Sequence, residues 1–413
     1  MPSFTIVFLI FLVASTAVQL WLSMRQARHV SQHRNAVPSA FVDKISLEEH
    51  QKAADYTLAR GKLGRFDVWL SVGILLAWTL GGGLELLDQF WRGFGWNPLV
   101  TGTAVILSMT FIGSLIDLPL SLYRTFVLEE RFGFNKTNLQ TFFTDMLKGA
   151  ALGLVIGVPL ILFVLWLMEG ASSLWWLYAW AGLTAFSLLM TWAYPKFIAP
   201  LFNKFEPLPE GEVAQRIDAL LERTGFNSKG VFVMDGSKRS AHGNAYFTGF
   251  GRNKRIVFFD TLLKHLTPAQ IEAVLAHELG HFKRKHIVKG MLLSVAMTFV
   301  GFAALAWLMQ QTWFYQHLGI SQPSTYMALL LFVLVSPVFT FFISPIMARL
   351  SRKHEFEADE FAARQSSAAE LIGALVGLYK ENANTLTPDP LHSAFYDSHP
   401  PAAIRIAHLQ QQT

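Results

Sequence analysis

Apolar positions in this chain gather into long unbroken runs rather than a short repeating alternation. Seven stretches, 4–23, 66–87, 99–122, 149–168, 173–194, 287–310 and 325–349, are nearly free of charge. Each has the roughly 20 residues that a helix needs to cross a hydrocarbon core. The first has a cleavage-like Ala14-Ser15-Thr16-Ala17, but Met1-Pro2-Ser3 carries no positive flank, so an uncleaved span is expected. The two polar remainders, 195–286 and 350–413, read differently. Gly230-Val231-Phe232-Val233-Met234 and Arg255-Ile256-Val257-Phe258-Phe259 are rich in β-branched and aromatic residues and predict strands. Asn244-Ala245-Tyr246-Phe247-Thr248-Gly249 between them predicts a third. A helix is expected to start at Thr267-Pro268-Ala269-Gln270, with Thr as N-cap, Pro in the first helical position and Gln closing a capping box. It is expected to run on into the sixth span.

Composition agrees with the pattern. Of 413 residues, 52% are hydrophobic and 15% charged, against about 25% charged in ordinary soluble domains. Disordered, collagen-like and simple soluble classes are excluded, and a polytopic membrane protein follows. The formal charge of +5 does not point to nucleic acid, because Lys and Arg are expected on cytoplasmic loops. The 24–65 loop carries eight of them and the 123–148 loop four, whereas 88–98 carries Arg92 alone and 169–172 and 311–324 none. This alternation puts the N-terminus outside and both polar pieces, 195–286 and 350–413, on the cytoplasmic side.

With no cysteine among the residues, thiolate zinc sites and iron–sulfur clusters are excluded, and a metal would have to be held by His, Asp or Glu. The candidate is His277-Glu278-Leu279-Gly280-His281. On a helix, residues i and i+4 share a face, so both imidazoles can reach one ion, and the Glu beside the first His can act as a base toward water. A hydrolytic zinc site needs a third protein ligand and an open fourth position. Farther along, Glu355 and Asp359 are again spaced i, i+4. One can bind the metal while the other holds a ligand imidazole in orientation. His354 and Glu357 are competing candidates. His286 is expected to be turned away from the ligand face, within a cationic membrane-interface cluster, Lys283-Arg284-Lys285-His286.

Taken together, these residues resemble the CAAX prenyl protease 1 family of zinc metallopeptidases. The resemblance also rests on Phe132-Gly133-Phe134-Asn135-Lys136-Thr137, Pro200-Leu201-Phe202-Asn203-Lys204-Phe205, Ser240-Ala241-His242-Gly243-Asn244-Ala245-Tyr246 and His399-Pro400-Pro401. It implies an α-helical polytopic membrane protein. Seven transmembrane helices would surround a water-filled intramembrane chamber, with a gluzincin-like α+β zinc peptidase domain on the cytoplasmic side. The expected division is 1–194, an N-terminal domain of five spans, and 195–413, the peptidase domain with two more. One Zn²⁺ is implied on His277, His281 and Glu355, with Glu278 as general base and Asp359 behind the ligands. His399 is implied to face the substrate and steady the oxyanion, and Arg405 matches an active-site Arg. Asn244 and Ala245 match the edge strand that holds the substrate backbone. A chamber would also account for Asp117 within the third span.

Expected partners are peptide or protein substrates, short membrane-associated or misfolded peptides foremost with C-terminal lipidation left open, and membrane lipid, with the enzyme a monomer. The tail Ala407-His408-Leu409-Gln410-Gln411-Gln412-Thr413 lacks a lysine-rich retrieval signal, so the expected location is a bacterial inner membrane. Two alternatives stay open at this point: an HtpX-like quality-control protease, and a transporter or lipid-handling protein with a degenerate zinc site.

Overall fold

The structure, a computed structural model, describes residues 3–170, 173–226, 228–248 and 255–412. Helices dominate it. Among the described residues, five are long and apolar enough to cross a membrane: Ser3–His33, Pro98–Glu129, Leu139–Gly170, His286–Leu308 and Thr325–Gln365. A sixth span results if Leu47–Trp78 and Gly83–Arg92, bent by 46° against each other, are taken together. The 66–87 stretch is therefore not one straight span. Its break falls at Thr79–Gly82, where Gly82 takes φ 78°, a conformation that glycine adopts without steric cost. The 173–194 stretch forms the helix Trp175–Ala193, which is not among those five.

The helices also overrun the apolar stretches. Most of the 24–65 segment, read from charge as a loop, is helical: the first helix continues to His33, and the next begins at Leu47 behind a Ser46–Glu49 capping box. Positive charge marks the membrane side, whereas helicity follows propensity and caps, and the two need not end together. The last apolar stretch likewise continues. Thr325–Thr340 passes through a tight turn at Phe341–Ile343 into Ser344–Gln365, so the helix that carries Glu355 is an extension of the final span.

A four-stranded sheet lies beside these polar helix ends: β1 Phe205–Pro207, β2 Val231–Met234, β3 Ala245–Thr248 and β4 Arg255–Phe259, in the order β1-β2-β4-β3. The central pair, β2 and β4, is parallel, and β3 runs antiparallel to β4 along one edge, Ala245 opposite Phe258. β1 was not foreseen from sequence, and Gly249 of the third expected strand lies outside the described residues. The sheet packs on the helix Pro268–Lys283 through Ile256, Phe258, Leu275 and Leu279, all at most 1% exposed. Each such side chain contributes about 1.5–3 kcal/mol on burial.

Backbone hydrogen bonds and an ion pair tie the membrane helices to this sheet. Asn135 bridges Ser240, and Ala241 N donates to Phe134 O at 3.1 Å. The Arg239 guanidinium reaches both Asp145 oxygens, at 2.7 and 3.0 Å. The Phe132–Thr137 segment thus anchors the approach to the edge strand β3.

Candidate metal centre and its cleft

The helix Pro268–Lys283 is started by a capping box: Gln270 N donates to Thr267 Oγ1 at 3.3 Å, and Thr267 N to Gln270 Oε1 at 3.1 Å. His277 and His281 then stand one turn apart on one face, their Nε2 atoms separated by 3.2 Å. This helix and Ser344–Gln365 approach unusually closely. A Cβ on Gly280 would lie 2.9 Å from Ala358 Cα and 3.0 Å from Ala358 O. Glycine at that position lets the two backbones meet, and the meeting brings Glu355 to the histidine pair. Glu355 Oε1 is 3.2 Å from His281 Nε2, and Oε2 is 3.4 Å from His277 Nε2.

The donor set fits a divalent cation. Candidate ligand atoms of His277, His281 and Glu355 lie within 4.8 Å of one another. Glu355 is 3% exposed, and no donor hydrogen-bonds its Oε2, which lies 3.4 Å from His277 Nε2 and 3.5 Å from Arg405 Nη1. A buried carboxylate oxygen with partners only at that distance gains from a cation that compensates it more closely. Two imidazoles and a carboxylate are a donor set that zinc accepts, with a fourth position left for water or substrate. Burial disfavours charge on His277, yet its hydrogen bond to Asp359 and the neighbouring Glu355 carboxylate prevail and raise its pKa to about 9. The anionic field that favours a proton there also favours a metal.

Asp359, fully buried, lies behind the pair. Its Oδ1 is 2.8 Å from His277 Nδ1, leaving Nε2 to face the cluster. Arg405 grips the same carboxylate with two bonds, Nε to Oδ2 at 2.9 Å and Nη2 to Oδ1 at 2.6 Å, while its Nη1 stands 3.5 Å from Glu355. Arg405 is itself 6% exposed, so its charge is largely committed to Asp359 and Glu355.

A cleft of about 550 Å³ opens over this cluster, lined by His277, Glu278, His399 and Arg405 on one side and by Asn244 and Ala245 of the β3 edge on another. Burial pushes the Glu278 carboxyl above its ordinary pKa, making it a better proton acceptor. His399 is exposed to the cleft with its Nε2 3.4 Å from Glu355 Oε1, and its Nδ1 lies 2.9 Å from Ser398 Oγ. All nine site residues singled out from sequence therefore surround one cluster or line its cleft.

Three neighbours differ from expectation. His286 is not part of an exposed cationic cluster: it is 5% exposed and touches His281, Nδ1 to Nδ1, at 3.0 Å. Five residues along an unbroken helix would turn it away by about 140°. Lys285 instead adopts φ 58°, which ends one helix and starts the next, and the expected run into the sixth span is broken there. His354 stacks on the His286 ring, and Glu357 hydrogen-bonds it at 2.9 Å, so neither competes for the metal cluster. Asn382 escaped sequence reasoning altogether. Its side chain accepts from Gly243 N at 3.0 Å and donates to Gly243 O at 3.3 Å, fixing the residue before Asn244. A lone Asn after a helix carries no sequence signal for such a role.

Apolar helices carrying a His–His–Glu cluster with a second glutamate, Glu278, beside it have the make-up of a membrane metallopeptidase. The profile described as "CAAX prenyl protease N-terminal, five membrane helices" matches residues 26–204, and that of Peptidase family M48 matches 207–413. A CAAX prenyl protease 1 homolog of Arabidopsis thaliana is 32% identical over 96% of this chain and 95% of its own length. The CAAX prenyl protease 1 of Saccharomyces cerevisiae is 33% identical over 97% and 93%, and the Homo sapiens homolog 32% over 99% and 96%. A crystal structure of Ste24p from S. mikatae superposes with a TM-score of 0.91 at 32% identity, covering 99% of both chains. The chain belongs to the CAAX prenyl protease 1 family.

Proposed function

We propose that this chain hydrolyses peptide bonds with one Zn²⁺ held by His277, His281 and Glu355, at the cytoplasmic face of the membrane. The observation that carries the reading is the convergence of those three side chains beside a cleft that His277 lines together with Asn244 and Ala245. Zinc there would supply Lewis acidity to the water and the scissile carbonyl. Glu278 takes the proton from the attacking water and passes it to the leaving amine. Asp359, itself clamped by Arg405, keeps His277 in the tautomer that presents Nε2. With Ser398 Oγ as donor to His399 Nδ1, 2.9 Å away, the ring would carry its proton on Nε2, where it can meet a developing oxyanion. Asn244 and Ala245 offer the open side of β3 to an extended substrate backbone.

The substrates are peptides or proteins of the membrane, with C-terminally lipidated chains among them, following the names of the relatives. Seven spans are proposed, counting the bent pair as one and adding Trp175–Ala193. Asp117, exposed on an otherwise apolar helix, supports a water-filled chamber, because an intramembrane carboxylate turned to lipid would be costly. The Lys and Arg pattern supports an outside N-terminus, and a monomer in a bacterial inner membrane is the proposed form. In detergent, peptide cleavage should be abolished by a chelator and restored by zinc. Cleavage that continues at the same rate with all metal removed would refute the reading.

A further inference from the structure

A second line of polar contacts leads away from the metal cluster, opposite to the Asp359 side. His281 turns Nε2 toward Glu355 at 3.2 Å, and its other ring nitrogen, Nδ1, meets His286 Nδ1 at 3.0 Å. His286 Nε2 in turn stands 2.9 Å from Glu357 Oε2. The His286 ring is buried and held flat against His354, with centroids 4.1 Å apart and 11° between planes. The unusual φ of Lys285 sets this up, because it returns the chain so that the first residue of the next helix faces the last turn of the previous one. Neither His286 nor Glu357 has a part in the chemistry described above.

We propose that His286 and Glu357 are positioning residues for His281, forming a relay that fixes its tautomer and ring plane. The direction of the relay is dictated from both ends. A carboxylate accepts and does not donate, so Glu357 requires the His286 proton on Nε2. His286 Nδ1 is then a bare lone pair, which requires the His281 proton on Nδ1. His281 Nε2 is thereby left as a lone pair aimed into the cluster, the form a metal ligand must have. Each of the two ligand imidazoles thus has its own support: Asp359 with Arg405 for His277, and His286 with Glu357 for His281. The inference rests on the reading of His281 as a metal ligand.

The test uses the full-length protein in detergent, with zinc affinity measured by competition against a chelator and the visible spectrum recorded after cobalt loading. His286→Leu keeps bulk but removes the acceptor, and should weaken zinc binding by about 10–100-fold. It should also shift the cobalt spectrum, while the melting temperature of the metal-free protein changes little. His286→Asn restores an acceptor near the Nδ1 position and should recover most of the affinity. Glu357→Gln, whose amide oxygen still accepts, should bind better than Glu357→Leu. Unchanged zinc affinity in His286→Leu would overturn the relay, as would equal losses in His286→Leu and His286→Asn. His281→Ala serves as the reference. If it bound zinc as well as the parent while His286→Leu did not, the ligand assignment would fall and the relay with it.

Discussion

At the scale of single residues, the site is governed by which buried polar atoms have partners. Asp359 is fully buried and serves two groups, the His277 imidazole and the Arg405 guanidinium. Asp359→Ala would remove both hydrogen bonds of the buried Arg405 guanidinium and leave it only the more distant Glu355, and breaking a buried pair typically costs about 3–5 kcal/mol. Asp359→Asn keeps the volume and loses the charge. It should lower zinc affinity about 10–100-fold with a smaller effect on the melting temperature, readable by chelator competition beside thermal unfolding. Glu278→Gln is expected to bind zinc normally and to lose about 10²–10⁴-fold in kcat, the usual worth of a general base; retained turnover would remove Glu278 from that role. Some of this was legible in sequence, because i, i+4 spacing brings His277 to His281 and Glu355 to Asp359 through helix geometry alone. The role of His286 was not. It depends on the backbone angle of Lys285, a non-glycine residue in a left-handed conformation, and nothing in the side-chain pattern announces that.

At the scale of elements, two helices have to meet at one point. The capping box at Thr267 fixes where one begins, and the Gly280–Ala358 contact fixes how near the other comes. Gly280→Val would force the backbones apart. Overpacking of that kind costs about 1–3 kcal/mol, and separating Glu355 from the histidines should also lose the metal, so zinc content should fall with stability. Thr267→Ala should cost about 1 kcal/mol and leave zinc content intact, since it alters the start of the helix and not its crossing. Strands β2 and β4 could be read from their β-branched and aromatic runs. The short strand β1 and the helical continuation of the last span beyond the membrane could not. Three residues give no periodicity to detect, and a helix that passes from lipid into a polar domain changes its hydrophobic pattern midway.

At the scale of the whole molecule, the membrane helices and the peptidase fold are joined at the segment before the edge strand, where Phe132–Thr137 and Arg239 meet. The proposed orientation rests on where positive charge is placed, and it can be tested cleanly because the chain contains no cysteine. A single Gln322→Cys should react with an impermeant thiol reagent from outside intact cells, whereas Glu210→Cys should react after the membrane is opened. The reverse pattern would invert the proposed topology. The central claim is narrower: two imidazoles and one distant carboxylate hold a single ion between two helices. X-ray absorption at the zinc edge, on protein purified with its metal, measures this directly. One zinc per chain is expected, with two nitrogens at about 2.0–2.1 Å and oxygen ligands at about 2.0–2.2 Å, the carboxylate contribution disappearing in Glu355→Ala. A zinc environment indifferent to the loss of Glu355, or no bound metal in an active enzyme, would contradict it.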